Sequence, residues 1–128
     1  MIGFSHLAIY VFDLEGMKNF FIRFFSAHSN AMYHNPKTGL KTYFLTFPDG
    51  SRIEIMNRPD VSAGSENQYR AGYSHIAFSV GGKKEVDEIT RKLNKNGFPV
   101  LSGPIVTGDG FYESSISGPE GNIIEITE

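Results

Sequence analysis

The sequence predicts an α+β fold made of two βαβββ modules, and three observations predict it. The stretch GFSHLAIYV, beginning at Gly3, is nearly rewritten as GYSHIAFSV from Gly72. TFPDGSRIEI, Thr46 to Ile55, is matched by SGPEGNIIEI, Ser117 to Ile126. The offsets, 69 and 71 residues, differ little, so both matches belong to one duplication. Between the matched stretches of each half lies a segment with apolar residues at helical spacing. Two halves of about sixty residues are too short for a solenoid but fit a duplicated module. The expected organisation is one domain, residues 1–128, with a first module at 1–60 and a second at 70–128.

Each element follows from its own pattern. Phe4–Val11 and Ser74–Val80 alternate as strands. Asp13 is a plausible N-cap, and Leu14, Met17, Phe20, Phe21, Phe24 and Phe25 then make one broad helical apolar face. In the second half Val86, Ile89 and Leu93 do so more thinly, and Gly97 suits the position just past the helix end. Tyr43–Phe47 and Arg52–Met56 flank the turn Pro48-Asp49-Gly50. Tyr112–Ser117 and Asn122–Thr127 flank Pro119-Glu120-Gly121 in the same way. Further strands are expected near Ala31–His34 and Val100–Leu101.

Composition excludes several classes of function. A net charge of -2 offers no basic stripe, so nucleic acid is not an expected partner. The absence of cysteine excludes disulfides, thiolate metal ligands and thiol nucleophiles. No apolar run approaches the roughly 20 residues that span a bilayer, so no membrane association is expected. The N-terminus enters an apolar alternation without a signal-like segment, and the expected location is cytoplasmic.

Strand alternation separates two faces. Leu7, Ile9 and Val11 oppose His6, Ala8 and Tyr10; Ile76, Phe78 and Val80 oppose His75, Ala77 and Ser79. Ile53 and Ile55 oppose Arg52, Glu54 and Met56, while Ile124 and Ile126 oppose Ile123, Glu125 and Thr127. The aliphatic face should lie under the helix, and the other should line a cavity. One strand histidine is more often a satisfied core or surface residue than a ligand, and one outer-face glutamate is ordinarily just solvated. Two His and two Glu at matched positions shift that balance. A pseudo-twofold axis relating the halves would bring matching positions together. Two imidazoles and two carboxylates suit a divalent ion such as Zn, Ni, Mn, Fe or Co.

HLAIYV with its aromatic helix, GYSHIAFSV and the closing GPEGNIIEI together resemble the vicinal oxygen chelate superfamily. Its members include glyoxalase I (lactoylglutathione lyase), extradiol dioxygenases, fosfomycin-resistance enzymes, methylmalonyl-CoA epimerase and bleomycin-binding proteins. The resemblance covers nearly the whole chain and implies paired βαβββ modules forming an open, cupped sheet around a metal. In glyoxalase I the ligands are a His on the first strand of each module and a Glu on the last, and His6, Glu54, His75 and Glu125 match all four. Extradiol dioxygenases and fosfomycin-resistance enzymes typically keep three ligands, lacking the carboxylate at the position of Glu54. The bleomycin-binding members lack the ligands. The set of four therefore resembles glyoxalase I most.

The resemblance implies one divalent metal, Lewis acidity toward two adjacent substrate oxygens, and isomerisation of the hemithioacetal of a 2-oxoaldehyde to a 2-hydroxy thioester. A ligand carboxylate is the implied base: Glu125, with Glu54 as its counterpart. Glyoxalase I commonly has Arg four residues after the first His, where this chain has Tyr10, and Asn four residues after the first Glu, where it has Arg58. Both departures point away from glutathione toward another thiol adduct or a substrate without a thiol. Substrate contacts are expected from Tyr10, Arg58, Tyr69 and Phe111, in loops that include Asn57–Gly72 and Thr107–Tyr112. His28 and His34, which are not duplicated, read as loop histidines. A small-molecule substrate and a homodimer complete the expectation. The alternatives are an epimerase or ring-cleaving dioxygenase of the same superfamily, or a non-catalytic small-molecule or drug-binding protein.

Overall fold

Two parallel strand pairs anchor the architecture, and each needs a crossover helix to join its ends. The computed structural model describes residues 1–128 and forms two units, Met1–Gly64 and Ser65–Glu128. In the first, β1 (Leu7–Tyr10) is followed by α1 (Leu14–Phe25), β2 (His28–Ser29), β3 (Tyr33–His34), β4 (Lys41–Thr46) and β5 (Arg52–Asn57). Strand β1 runs parallel to β5, with Leu7 beside Ile53 and Ala8 beside Glu54. The sheet order is β1-β5-β4-β2, with β3 also paired to β4.

Helix α1 starts where Asp13 accepts a hydrogen bond from the Gly16 N–H at 2.9 Å. It ends at Ser26, which takes the left-handed conformation with φ of 56°. Its buried face, Leu14, Met17, Phe20, Phe21 and Phe25, shares the core with Leu45, Ile53 and Ile55 of the sheet. A polar clasp also ties helix to sheet. The Tyr43 hydroxyl donates to Glu15 at 2.5 Å, and the Lys18 ammonium lies 2.9 Å from the same carboxylate and 4.5 Å from the Tyr43 ring.

That clasp holds the Glu15 carboxyl below its ordinary range, first through Tyr43 and then through Lys18. A carboxyl depressed in the folded state contributes stability above its unfolded value and loses it as pH falls through the folded value. Tyr43→Phe removes the larger cause. Its unfolding free energy should fall less steeply than that of the wild type between about pH 5 and about pH 3. Urea titrations at several pH values read this, and parallel slopes for the two proteins would refute it.

In the second unit, β6 (His75–Ser79) leads to α2 (Lys83–Lys95), then β7 (Val100–Val106), β8 (Tyr112–Ser117) and β9 (Ile123–Thr127), in sheet order β6-β9-β8-β7. Strand β6 runs parallel to β9, with Ala77 beside Glu125, as Ala8 lies beside Glu54. Glu85 accepts from the Gly82 N–H at 3.0 Å and so starts α2. Asn96 caps the far end, and Gly97 follows with φ of +92°.

The core beneath α2 is aliphatic rather than aromatic: Val86 and Leu93 with Ile116, Ile124 and Ile126. Thr90 and Ser114 are buried in it, and their hydroxyls bond each other at 2.6 Å, so neither is left unsatisfied. Gly103 bends β7 with φ of +73°, and a Cβ there would stand 2.4 Å from the Glu113 carbonyl oxygen. Only glycine lets β7 approach β8 so closely.

The expected elements are present, with shifted ends. The first strand begins at Leu7, not Phe4, because β5 begins at Arg52 and offers no partner upstream. The expected strand at Ala31–His34 contracts to β3, and β2 was not anticipated. The strand expected at Val100–Leu101 extends to Val106 through two register shifts. No helix is long and apolar enough to cross a membrane.

Candidate functional site

Each unit carries a His–Glu pair on the sheet face opposite its helix. Glu54 on β5 and Glu125 on β9 alternate with isoleucines that are 5% exposed or less, so the carboxylates point away from the core. His6, just before β1, and His75, the first residue of β6, lie on the same face as their glutamates. His6 Nε2 is 3.6 Å from Glu54 Oε1, and His75 Nε2 is 3.2 Å from Glu125 Oε1. The four side chains are between 20% and 36% exposed, so they are half-shielded yet open to a ligand.

A serine stands behind each imidazole. Ser5 Oγ lies 3.0 Å from His6 Nδ1, and Ser74 Oγ lies 3.0 Å from His75 Nδ1. The first unit adds two supports. Arg52 Nη2 donates to Ser5 Oγ at 3.1 Å, and the Phe44 ring meets the His6 ring edge-on at 4.9 Å. The Arg52 guanidinium also lies over Phe44 at 5.0 Å. The matching positions of the second unit hold Ile123 and Ser115, so these supports are not duplicated.

The second unit has its own addition. Glu113 on β8 is opposite Thr127 on β9, next to the Ser115–Glu125 pair, and so shares the face of Glu125 and His75. Burial, then repulsion from Glu125 and Asp109, raises its carboxyl above the ordinary range. The matched position in the first unit is Thr42. Strand alternation places Glu113 on this face, whereas the duplication does not mark it, because its counterpart is a threonine.

Tyr10 and Arg58, singled out in the sequence, do come together. With Asp60, Val61 and Ser62 they line a cavity of about 360 Å³ in the first unit, within the size range of small-molecule sites. Arg58 Nε lies 2.5 Å from Asp60 Oδ1, which raises the guanidinium and lowers the Asp60 carboxyl. Tyr10 shares the face of Glu54, two residues along β1 from its partner Ala8. Tyr69 and Phe111 are exposed, at 86% and 51%, and do not line this cavity. His28 and His34 are exposed on β2 and β3.

Chemically, each unit offers an imidazole nitrogen and a carboxylate oxygen close enough to act on one ion or one proton. Imidazole and carboxylate are donor types that a divalent first-row metal takes, but each unit brings only two of them together, and no group of three or more His, Asp or Glu that could hold a metal ion is formed. In both pairs Nδ1 is occupied by serine, and Nε2 is the nitrogen that faces the carboxylate.

The model of the Glyoxalase/Bleomycin resistance protein/Dioxygenase superfamily matches residues 3–126. The chain belongs to that superfamily. Within it, a glyoxalase family protein from Bacillus cereus superimposes with a TM-score of 0.83 at 20% identity, over 100% of this chain and 94% of the other. FosX, the fosfomycin resistance protein of Listeria monocytogenes, in complex with Mn(II) and sulfate, gives a TM-score of 0.72 at 22% identity, over 99% of this chain and 93% of that one. An uncharacterised Bacillus subtilis protein, YqjT, is 27% identical over 94% of each chain. The fold expected from the sequence, paired βαβββ modules of the superfamily, is therefore the fold observed.

Proposed function

We propose that His6, Glu54, His75 and Glu125 together hold one divalent metal ion (Ni, Zn, Co, Mn or Fe) and that the protein is a glyoxalase I-like lyase. It converts the hemithioacetal of a 2-oxoaldehyde and a thiol to a 2-hydroxy thioester. The observation that carries this reading is the repeated half-site: in each unit a histidine Nε2 faces a glutamate carboxylate across parallel-paired strands. Mn(II) in the FosX complex supports a divalent ion for the superfamily.

A bound ion would supply Lewis acidity toward two neighbouring substrate oxygens. The chain supplies the rest. Glu125 takes the proton from one substrate carbon and delivers it to the next, and Glu54 is its counterpart on the other half-site. The Tyr10–Arg58 cavity would receive the thiol-bearing arm. Tyr10 brings a phenol where glyoxalase I has a cation, and Asp60 offsets much of the Arg58 charge. Both features disfavour the multiply charged arm of glutathione and favour a smaller or less anionic thiol.

The site is proposed to work in a C₂ homodimer, the commonest closed oligomer. Whether the half-sites meet within one chain or across two is read by light scattering: a fully metal-loaded monomer at micromolar concentration excludes the shared version. The function is tested by following thioester absorbance with methylglyoxal and glutathione or small thiols, supplying Ni, Co, Mn, Zn and Fe in turn. Thioester formation that depends on metal is expected. No turnover with any pairing, together with consumption of a catechol and O₂, would replace the lyase reading with the oxygenase one.

A further inference from the structure

We infer that Arg52 is a specificity-determining residue of the first half-site, and that the carbonyl end of the substrate carries an oxyanion, a carboxylate or a phosphate, which its guanidinium binds. The inference deepens the lyase reading and rests on it for the reaction. The observation behind it is separate: a fixed cation without a carboxylate partner stands on the face of the His6–Glu54 pair.

Arg52 opens β5 and shares the face of Glu54, two residues on. Its guanidinium is held from two sides. Nη2 donates to Ser5 Oγ at 3.1 Å, and the group lies over the Phe44 ring at 5.0 Å. The His6 ring meets that same Phe44 ring at 4.9 Å, so cation and imidazole lean on one aromatic side chain. A hydrogen bond and a cation–π contact restrict a side chain that solvent would otherwise leave free, and a group already restricted loses less entropy when a ligand binds.

Charge then decides what the ligand is. Glu54 faces His6, and no carboxylate comes within ion-pair distance of Arg52. A guanidinium has five N–H donors and no acceptor, and Ser5 takes only one of them. The remaining donors fit the paired oxygens of a carboxylate or phosphate. Arg58, just past the far end of β5, differs: Asp60 already meets it at 2.5 Å. The anion is therefore expected at the Arg52 end and the weakly charged thiol arm at the Tyr10–Arg58 end. The strand sets the Cα atoms of Arg52 and Glu54 about 7 Å apart, room for a short carbon chain between the reacting oxygens and the oxyanion. The matched position of the second unit is Ile123, so only the first half-site carries this charge.

The test compares wild type with Arg52→Gln and with Arg23→Gln, which removes an exposed cation lying over Phe24 on α1. Unfolding midpoints confirm that both variants are folded. One readout needs neither metal nor turnover. The ¹H–¹⁵N signal of the Arg52 Nε–H is followed while metal-free wild type is titrated with propionate, with methylphosphonate, and with propionamide as the neutral control. The other is kcat/KM for thioester formation by the metal-loaded protein with 2-mercaptoethanol. The aldehyde is 4,5-dioxopentanoate, the phosphate ester of hydroxypyruvaldehyde, or uncharged methylglyoxal.

The oxyanions should shift the Arg52 signal saturably, and propionamide should not. At least one oxyanion-bearing aldehyde should be preferred to methylglyoxal, and the better of the two names the group. Arg52→Gln should lower that preference about tenfold, the loss expected for one charge-assisted contact at an exposed residue, while Arg23→Gln leaves it unchanged. Equal turnover of charged and neutral aldehydes, an undiminished preference in Arg52→Gln, or an equal drop in Arg23→Gln would overturn the assignment. So would an Arg52 signal that no oxyanion shifts, or an anion preference that follows the thiol, mercaptoacetate over 2-mercaptoethanol, instead of the aldehyde. Saturable shifts by an oxyanion with no turnover of any pairing would sink the lyase reading alone and leave the oxyanion site standing.

Discussion

His75→Ala should abolish most metal loading while leaving the protein folded. Elemental analysis after exposure to excess metal and desalting should fall from about one ion per site in the wild type to a small fraction of that. The loss should exceed the roughly 10–100-fold in affinity that removing an outer partner costs, because the variant removes a proposed ligand itself. Folding should survive for a structural reason. His75 heads β6, its side chain is 36% exposed, and it adds nothing to the core of Ile116, Ile124 and Ile126 beneath α2. His6→Ala should behave alike, with one difference. The His6 ring packs on Phe44, so its loss also strips an aromatic contact from the open face of the first sheet. Wild-type loading in either variant would remove that histidine from the ligand set and with it the symmetry on which the four-residue site depends.

Sequence was most legible where one physical rule acted alone. The period-two alternation around Ile53, Ile55, Ile124 and Ile126 separated core from open face, and all four isoleucines are buried as read. Asp13 and Gly97 marked helix ends because capping is a local geometry that few residues satisfy. Legibility failed where pairing depended on a distant strand. Phe4 continues the alternation of β1 yet is 86% exposed, since nothing in β5 reaches it. Ser102 to Val106 contains Gly103-Pro104, which reads as a strand breaker, and its membership of β7 rests on a bulge against β8. The duplication itself both helped and misled. It marks the two His–Glu pairs, but it assigns no role to Arg52, Phe44 or Glu113, which each occur in one half only. Asp60 is not legible for another reason: its ion pair with Arg58 is a property of the loop conformation, which no strand alternation or repeat encodes.

Glu125→Gln should separate proton transfer from metal binding more sharply than any other substitution. The amide keeps the size of the carboxylate and one oxygen that can approach a cation or the His75 ring, 3.2 Å away in the wild type. It lacks the basicity to take a proton from carbon. Loss of a general base costs typically about 10²–10⁴-fold in rate, which corresponds to about 3–5 kcal/mol of barrier. The expected result is a fall of that order in kcat for thioester formation, a modest change in KM, and a metal content reduced far less than the rate. Glu113 sharpens the comparison. It shares the face of Glu125, so a carboxylate remains beside the substituted position, and residual activity in Glu125→Gln that disappears in the double variant with Glu113→Gln would mark Glu113 as the substitute base. Glu54→Gln supplies the other half of the experiment. If it costs more than Glu125→Gln at equal metal content, the base lies on β5 and the roles assigned to the two glutamates exchange. If metal content and rate fall in parallel in both variants, the carboxylates act as ligands alone, and the proton must be moved by a group outside the two pairs.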